Sequence, residues 1–204
     1  TFFASPTELD FENERKVEHI VRQNLQRWQK AGYLPDMAIE GGEETDRLLR
    51  ERGWTYWHHL FSARQLLVGA ITREIAASHA GASYYLEFAR WLDNNSKLCT
   101  WTPGSVNADG KALNADRISH VFYNQALNTM AAYAVRASTY QNRESYGTAE
   151  LVGSASIANH RAADIADECD IYITDPPYAD AVNYHEITEY FIAWLRKNAP
   201  GEFS

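Results

Sequence analysis

The stretch Asp170-Ile171-Tyr172-Ile173-Thr174-Asp175-Pro176-Pro177-Tyr178 constrains this chain more than any other. Ile171, Tyr172 and Ile173 are apolar and partly β-branched, which predicts a short buried strand. Pro176-Pro177 ends it, because proline donates no ladder hydrogen bond. The acid, the prolines and the aromatic ring then sit at the strand's carboxyl end, the edge of an open α/β sheet where ligands bind. Leu151 to Ala155 reads as an earlier strand, and His160 to Asp167 as the helix between the two. Together they predict a right-handed β-α-β unit.

The chemistry at such an edge suits an unpaired nucleobase. An exocyclic amine on adenine or cytosine is a poor nucleophile, because its lone pair is delocalised into the ring. Acceptors for both of its N–H bonds return electron density to nitrogen. Asp175 offers a carboxylate and Pro176 a carbonyl, which Pro177 stiffens. Tyr178 can stack on the base, worth about 1–3 kcal/mol for an aromatic platform.

The preceding two-thirds of the chain has helical period. Thr7 or Asp10 caps a helix to about Ala31, with Val17, Ile20, Val21, Leu25 and Trp28 on one face. A short helix is expected from Thr45 to Arg52, closed by Gly53. Ser62 caps another to about Ser78, with Leu66, Leu67, Ala70, Ile71 and Ile75 facing inward. Ser83 caps a fourth, to about Asn95. A polar loop is expected to about Ala115, as a DNA-contacting segment or a plain surface loop. Ile118 to Val135 is again helical in pattern. Glu186 to Asn198, with Ile187, Tyr190, Phe191, Trp194 and Leu195 as its stripe, should pack on the sheet. The fold expected is therefore α/β: a helical region over 1–147, then a partial Rossmann-like β-α-β unit over 148–204.

Other signals narrow the function. The Gly41-Gly42 loop lacks the Lys and Ser/Thr of a phosphate cradle, and Glu43-Glu44 would repel phosphate. Adjacent histidines such as His58-His59 point different ways, so no metal site is expected. Cys99 and Cys169 are the only cysteines and have no zinc-ribbon spacing. No apolar run approaches the roughly 18–20 residues of a membrane helix. The first residues, Thr1 to Pro6, lack the basic start of a signal peptide. Net charge is −8, against a generic nucleic-acid binder, but residues 61–147 carry +2 and residues 148–204 carry −7. The middle segment is thus the better place for phosphate contacts.

The motif and its flanks resemble a known family. Asp175-Pro176-Pro177-Tyr178 after an apolar stretch, continued by Ala179-Asp180-Ala181-Val182-Asn183-Tyr184 and a Trp194-Leu195-Arg196 helix, is similar to the large bacterial and archaeal adenine-specific DNA methylases. Leu60-Phe61-x-x-Arg64-Gln65-Leu66-Leu67, Asn95-Ser96-x-Leu98-Cys99-x-Trp101 and Phe122-x-x-Gln125-Ala126-Leu127 resemble elements of the same group. The resemblance implies methyl transfer from S-adenosylmethionine to the amine of a flipped base in duplex DNA. Asp175, Pro176, Pro177 and Tyr178 would be catalytic, and Asp175, Ser154 and Ala155 would lie at the cofactor. Arg64, Gln65, Asn183 and Tyr184 would contact nucleic acid, Arg64 by a phosphate or, on the structural alternative, as one half of an ion pair. It also implies the cytoplasm of a bacterium or archaeon, the nucleoid, and partner subunits of a modification or defence system. Ser154 replaces an Asp usual in the family, and no Gly-rich cofactor turn is present. The chain therefore reads as a middle portion of a larger enzyme. Two alternatives stand beside this: a non-catalytic helical interaction module, and an RNA base methylase.

Overall fold

The computed structural model describes residues 5–78, 82–99, 101–102, 104–114, 117–118, 120–121, 161–175 and 183–199. The chain divides into a unit of Thr1–Gln141 with Asn183–Ser204 and a unit of Asn142–Val182. The sequence reading places a single border, between residues 147 and 148. The helix after the motif, however, belongs with the amino-terminal helices.

The first unit is a helical body. Helix α1 spans Glu8–Ala31, α2 Asp46–Arg52, α3 Ala63–Ser78, α4 Ala82–Asp93 and α5 Tyr184–Leu195, with a 3-10 turn at Trp57–Leu60. Local chemistry sets the ends. Thr7 and Asp10 form a capping box: the Thr7 amide donates to Asp10 Oδ2 at 2.7 Å, and the Asp10 amide to Thr7 Oγ1. At the other end of α1 the Gly32 and Tyr33 amides return to the Gln29 and Trp28 carbonyls, closing the last turn. Ser62 and Gln65 make a second capping box before α3, with the Ser62 amide donating to Gln65 Oε1 at 2.8 Å.

Helix α5 fills the centre of the body. Tyr190 and Trp194 are fully buried with Trp57, Leu60, Phe88 and Leu92. Phe61 stacks on Tyr190 at 5.6 Å and meets Trp194 edge-on at 4.9 Å. The Tyr190 hydroxyl donates to the Leu92 carbonyl at 2.8 Å, so the buried phenol is satisfied. The Trp194 indole lies directly on Gly69 of α3, where a β-carbon would stand 2.7 Å from its ring. Only glycine allows that approach.

The buried face of α3 is rotated from the expected one. Leu66 and Ala70 are inside as predicted, but Ile71 and Ile75 are half-exposed, and Gln65, Gly69 and Arg73 are buried instead. Arg73 can be buried because α5 supplies its partners. Its Nη2 donates to the Lys197 carbonyl at 2.6 Å, past the carboxyl end of α5, and its guanidinium lies over the Tyr85 and Phe88 rings.

The polar loop after α4 contains short antiparallel pairs. Strand β1 (Trp101–Thr102) pairs with β4 (Arg117–Ile118), and β2 (Ser105–Val106) with β3 (Ala112–Asn114). Asn107 Oδ1 accepts from the Asp109 and Lys111 amides to make the turn.

The α/β class expected from sequence is corrected here. Among the described residues the structure is mainly helical, and no β-α-β unit is present. Residues 171–175 pair with no strand, and Ile171, Tyr172 and Ile173 are 76%, 63% and 92% exposed. The expected helix over 160–167 is only a 3-10 turn at Ala162–Asp164. Tyr172 is tied locally, donating to the Asp167 carbonyl at 2.5 Å. Helix α5 accordingly packs on helices, not on a sheet. The strand expected at 151–155 and most of the helix expected at 118–135 lie outside the described residues.

Candidate functional site

Of the motif, Asp175 is described and exposed, and no hydrogen bond or ion pair engages its carboxylate among the described residues. Such a group can accept an N–H bond or face a cation without first breaking another contact. Pro176, Pro177, Tyr178, Ser154 and Ala155 lie outside the described residues.

The other predicted contacts fall in the helical body and serve different purposes. Arg64 is part-exposed and pairs with Glu14 of α1 through Nε at 3.0 Å and through Nη2. This is the ion pair held open as the alternative to a phosphate contact. Gln65 is fully buried in its capping box, so in this conformation it presents no surface to a base. Asn183 precedes α5 and donates from Nδ2 to Glu43 Oε2 at 3.4 Å, and Tyr184 begins the helix half-exposed.

Glu186, in the first turn of α5, has the carboxylate with the most hydrogen-bond partners among the described residues. Its residue is 8% exposed. Oε1 accepts from the Glu43 amide at 3.1 Å, and Oε2 from the Glu44 and Thr45 amides, each at 2.9 Å. The Thr45 hydroxyl, which also reaches the Glu40 carbonyl, lies 3.1 Å from Oε2. Gly42 closes the wall: a β-carbon there would sit 2.4 Å from the carboxyl group. The amides that follow Gly41-Gly42 thus hold a carboxylate of the same chain. Burial pushes the Glu186 pKa up, but the hydrogen bonds from Thr45, Glu44 and Glu43 outweigh it and hold the carboxyl below its usual range. Glycine pairs followed by Thr45 were the available signal; the partner, 141 residues away in sequence, was not legible.

The histidine pair is structural. His59 Nδ1 accepts from the Thr55 amide at 3.2 Å, and His58 Nδ1 lies 3.4 Å from Gln29 Nε2. Burial, with His59 and Lys97 nearby, lowers the His58 pKa to about 4, so the ring is neutral at pH 7. No cluster of metal-ligating side chains occurs among the described residues. Cys99 is fully buried beside Ser96, and burial raises its pKa to about 11, which makes it an inert thiol. The Asn95-Ser96-x-Leu98-Cys99 string is accordingly a buried turn under α5: Asn95 Nδ2 donates to the Trp91 carbonyl at 2.8 Å, and the Lys97 amide to Leu60 at 2.7 Å.

No family model, curated protein or solved structure matches the chain at a significant level. Among the described residues no helix is long and apolar enough to cross a membrane.

Proposed function

We propose that the chain carries the amine-activating motif of an S-adenosylmethionine-dependent methyltransferase acting on adenine in DNA. The observation that carries this reading is Asp175-Pro176-Pro177-Tyr178 with its flanks. The exposed, unengaged Asp175 carboxylate supports it, since its chemistry fits both an amine N–H and a nearby sulfonium. S-adenosylmethionine, when bound, supplies the electrophilic methyl group. The chain's own part is to hold the amine. Asp175 accepts one N–H and the Pro176 carbonyl the other, which localises the nitrogen lone pair. Tyr178 stacks on the base. Asp175 is also the acceptor placed to draw off the proton that nitrogen loses. Such an enzyme works on the nucleoid, in the cytoplasm, with partner subunits of a modification or defence system.

Transfer of labelled methyl groups to duplex DNA tests this, with Asp175→Ala beside the natural chain and calorimetric titration of S-adenosylmethionine. The expected product is N6-methyladenine, and Asp175→Ala should lower the rate by at least about 100-fold, the scale of a lost transition-state contact. Equal rates would remove the motif from the reaction. Methylation of transfer RNA but not DNA would move the substrate to RNA.

A second reading, a non-catalytic helical interaction module, is favoured by one observation. Residues of α1, α3, α4 and α5 close a core of their own, and the amides of Glu43, Glu44 and Thr45 after Gly41-Gly42 are taken by Glu186. Absence of both cofactor binding and methyl transfer would establish it over the first.

A further inference from the structure

The segment between α2 and α3 divides its rings between core and solvent. Trp57, Leu60 and Phe61 are buried, whereas Trp54, Tyr56, His58 and His59 keep part of their surface in solvent. The outer rings form one patch. Tyr56 lies 5.5 Å from the His58 ring and 5.6 Å from the His59 ring, and the two imidazoles meet at 4.4 Å. Lys97, exposed in the turn after α4, joins them. Its Nζ donates to the His59 carbonyl at 2.9 Å and stands 5.4 Å from the centre of the Trp54 ring. Tyr56 is bridged to Ala38, and the Ile39 amide donates to the Thr55 carbonyl at 2.9 Å. A held backbone therefore presents Tyr56, which is still 42% exposed.

The donors in the patch suit an anion. His59 Nδ1 accepts from the Thr55 and Tyr56 amides, which leaves the hydrogen of the neutral ring on Nε2. Lys97 adds a positive charge. Of the acids in the flanking segments, Glu51 is paired with Arg47, and Asp36 with Arg196 and Lys197. Glu40 is exposed and in no ion pair among the described residues. One ammonium beside one open carboxylate leaves the patch close to neutral. Charge alone does not gather a duplex here, since a phosphate backbone is held by several cations. The rings must supply most of the binding, and a ring stacks on a base only where the face of that base is open.

We propose that Trp54, Tyr56, His59 and Lys97 form a binding surface for single-stranded nucleic acid. A base stacks on Tyr56. The Lys97 ammonium and the His59 Nε2 hydrogen are donors to the adjoining phosphate, and the Trp54 ring steadies the ammonium. The surface lies wholly in the helical body and holds whether or not the chain transfers methyl groups.

Fluorescence anisotropy of labelled oligothymidylate, oligouridylate and a duplex, each of about 15 nucleotides, tests this with the full chain at about 50 and 200 mM salt. Single strands should bind at least about 5-fold more tightly than the duplex. Tyr56→Ala should weaken single-strand binding at least about 5-fold, the low end of what one base stacked on an aromatic ring contributes. Lys97→Gln should weaken it about 2- to 3-fold at the lower salt and hardly at the higher, lowering the salt slope by about 0.7, the share of one phosphate. Tyr56→Leu keeps an apolar side chain without the aromatic face, and carries the comparison if Tyr56→Ala does not fold. Phe11→Ala removes an exposed ring at the start of α1, outside the patch, and should change nothing. Tighter binding of oligouridylate would identify the strand as RNA, and of oligothymidylate as DNA, each in support of the surface. No single-strand binding by the natural chain, a duplex bound as tightly, or the same affinity in the Tyr56 variants as in Phe11→Ala would overturn it. None of these outcomes depends on methyl transfer, so the methyltransferase reading can fail separately.

Discussion

The helical body and the segment before the motif hold similar residues in opposite surroundings. Tyr190 and Trp194 of α5 are almost wholly buried, whereas Ile171, Tyr172 and Ile173 lie mostly in solvent. Both stretches are rich in large apolar side chains. The body buries its own because its described helices offer facing stripes, and the side chains of Gln65, Arg73 and Glu186, drawn in with them, each have a partner there. Residues 171–173 pair with no strand. A strand is stabilised by its neighbours, and an isolated extended triplet has no ladder to bury it. Apolar character thus states what a segment gains by burial, and does not provide the surface that buries it.

The largest way to break this comparison is at its buried pole. Trp194→Ala removes the ring that Phe61, Phe88, Trp91 and Gly69 enclose. Denaturant unfolding should show a loss of about 3–5 kcal/mol, the cost of emptying an aromatic site in a packed core. A loss below 1 kcal/mol would mean that α5 is not the centre of the body.

A smaller effect should come from pH. His58 has its pKa lowered to about 4 from an ordinary 6.5. Between those values the unfolded chain binds a proton that the folded chain does not. Stability is therefore complete above pH 6.5 and declines as pH falls toward 4, by about 1–2 kcal/mol once solvent screening of this partly exposed ring is allowed for. Glu186 adds a further loss below that window, because its pKa is depressed and its contribution disappears as the folded group takes up a proton. Thermal melts from pH 7 to 4 should show the decline, and His58→Gln should flatten it. An unflattened decline would assign the effect to other groups.

The smallest effect sharpens the other pole. Ile173 is 92% exposed, so Ile173→Ser should change stability by no more than about 0.5 kcal/mol, as exposed substitutions do. A loss above 1 kcal/mol would show that the triplet is buried in the protein in solution.

Helix positions were the most legible part of the fold. Caps at Thr7 and Ser62, the glycine after α2 and the apolar stripe of α5 are local codes, read within a few residues. The hairpin pairs in 101–118 were missed although Asp109-Gly110 signalled a turn, because each strand is too short for alternation to register. The motif itself was legible as residues and not as structure: Asp175 is exposed, and the strand expected to carry it is not formed.

The sequence alone determined where most of the described helices lie, and which apolar side chains seek a core, because caps and periodicity act over one or two turns. Tertiary structure decided which polar groups could accompany them inside. Arg73 is buried because the carboxyl end of α5 meets it with a carbonyl, 124 residues on. Glu186 is buried because a Gly-Gly loop, 141 to 143 residues earlier, turns its amides toward it. A buried charge is tolerated only with partners in place, and partners that distant become neighbours only when the chain has folded.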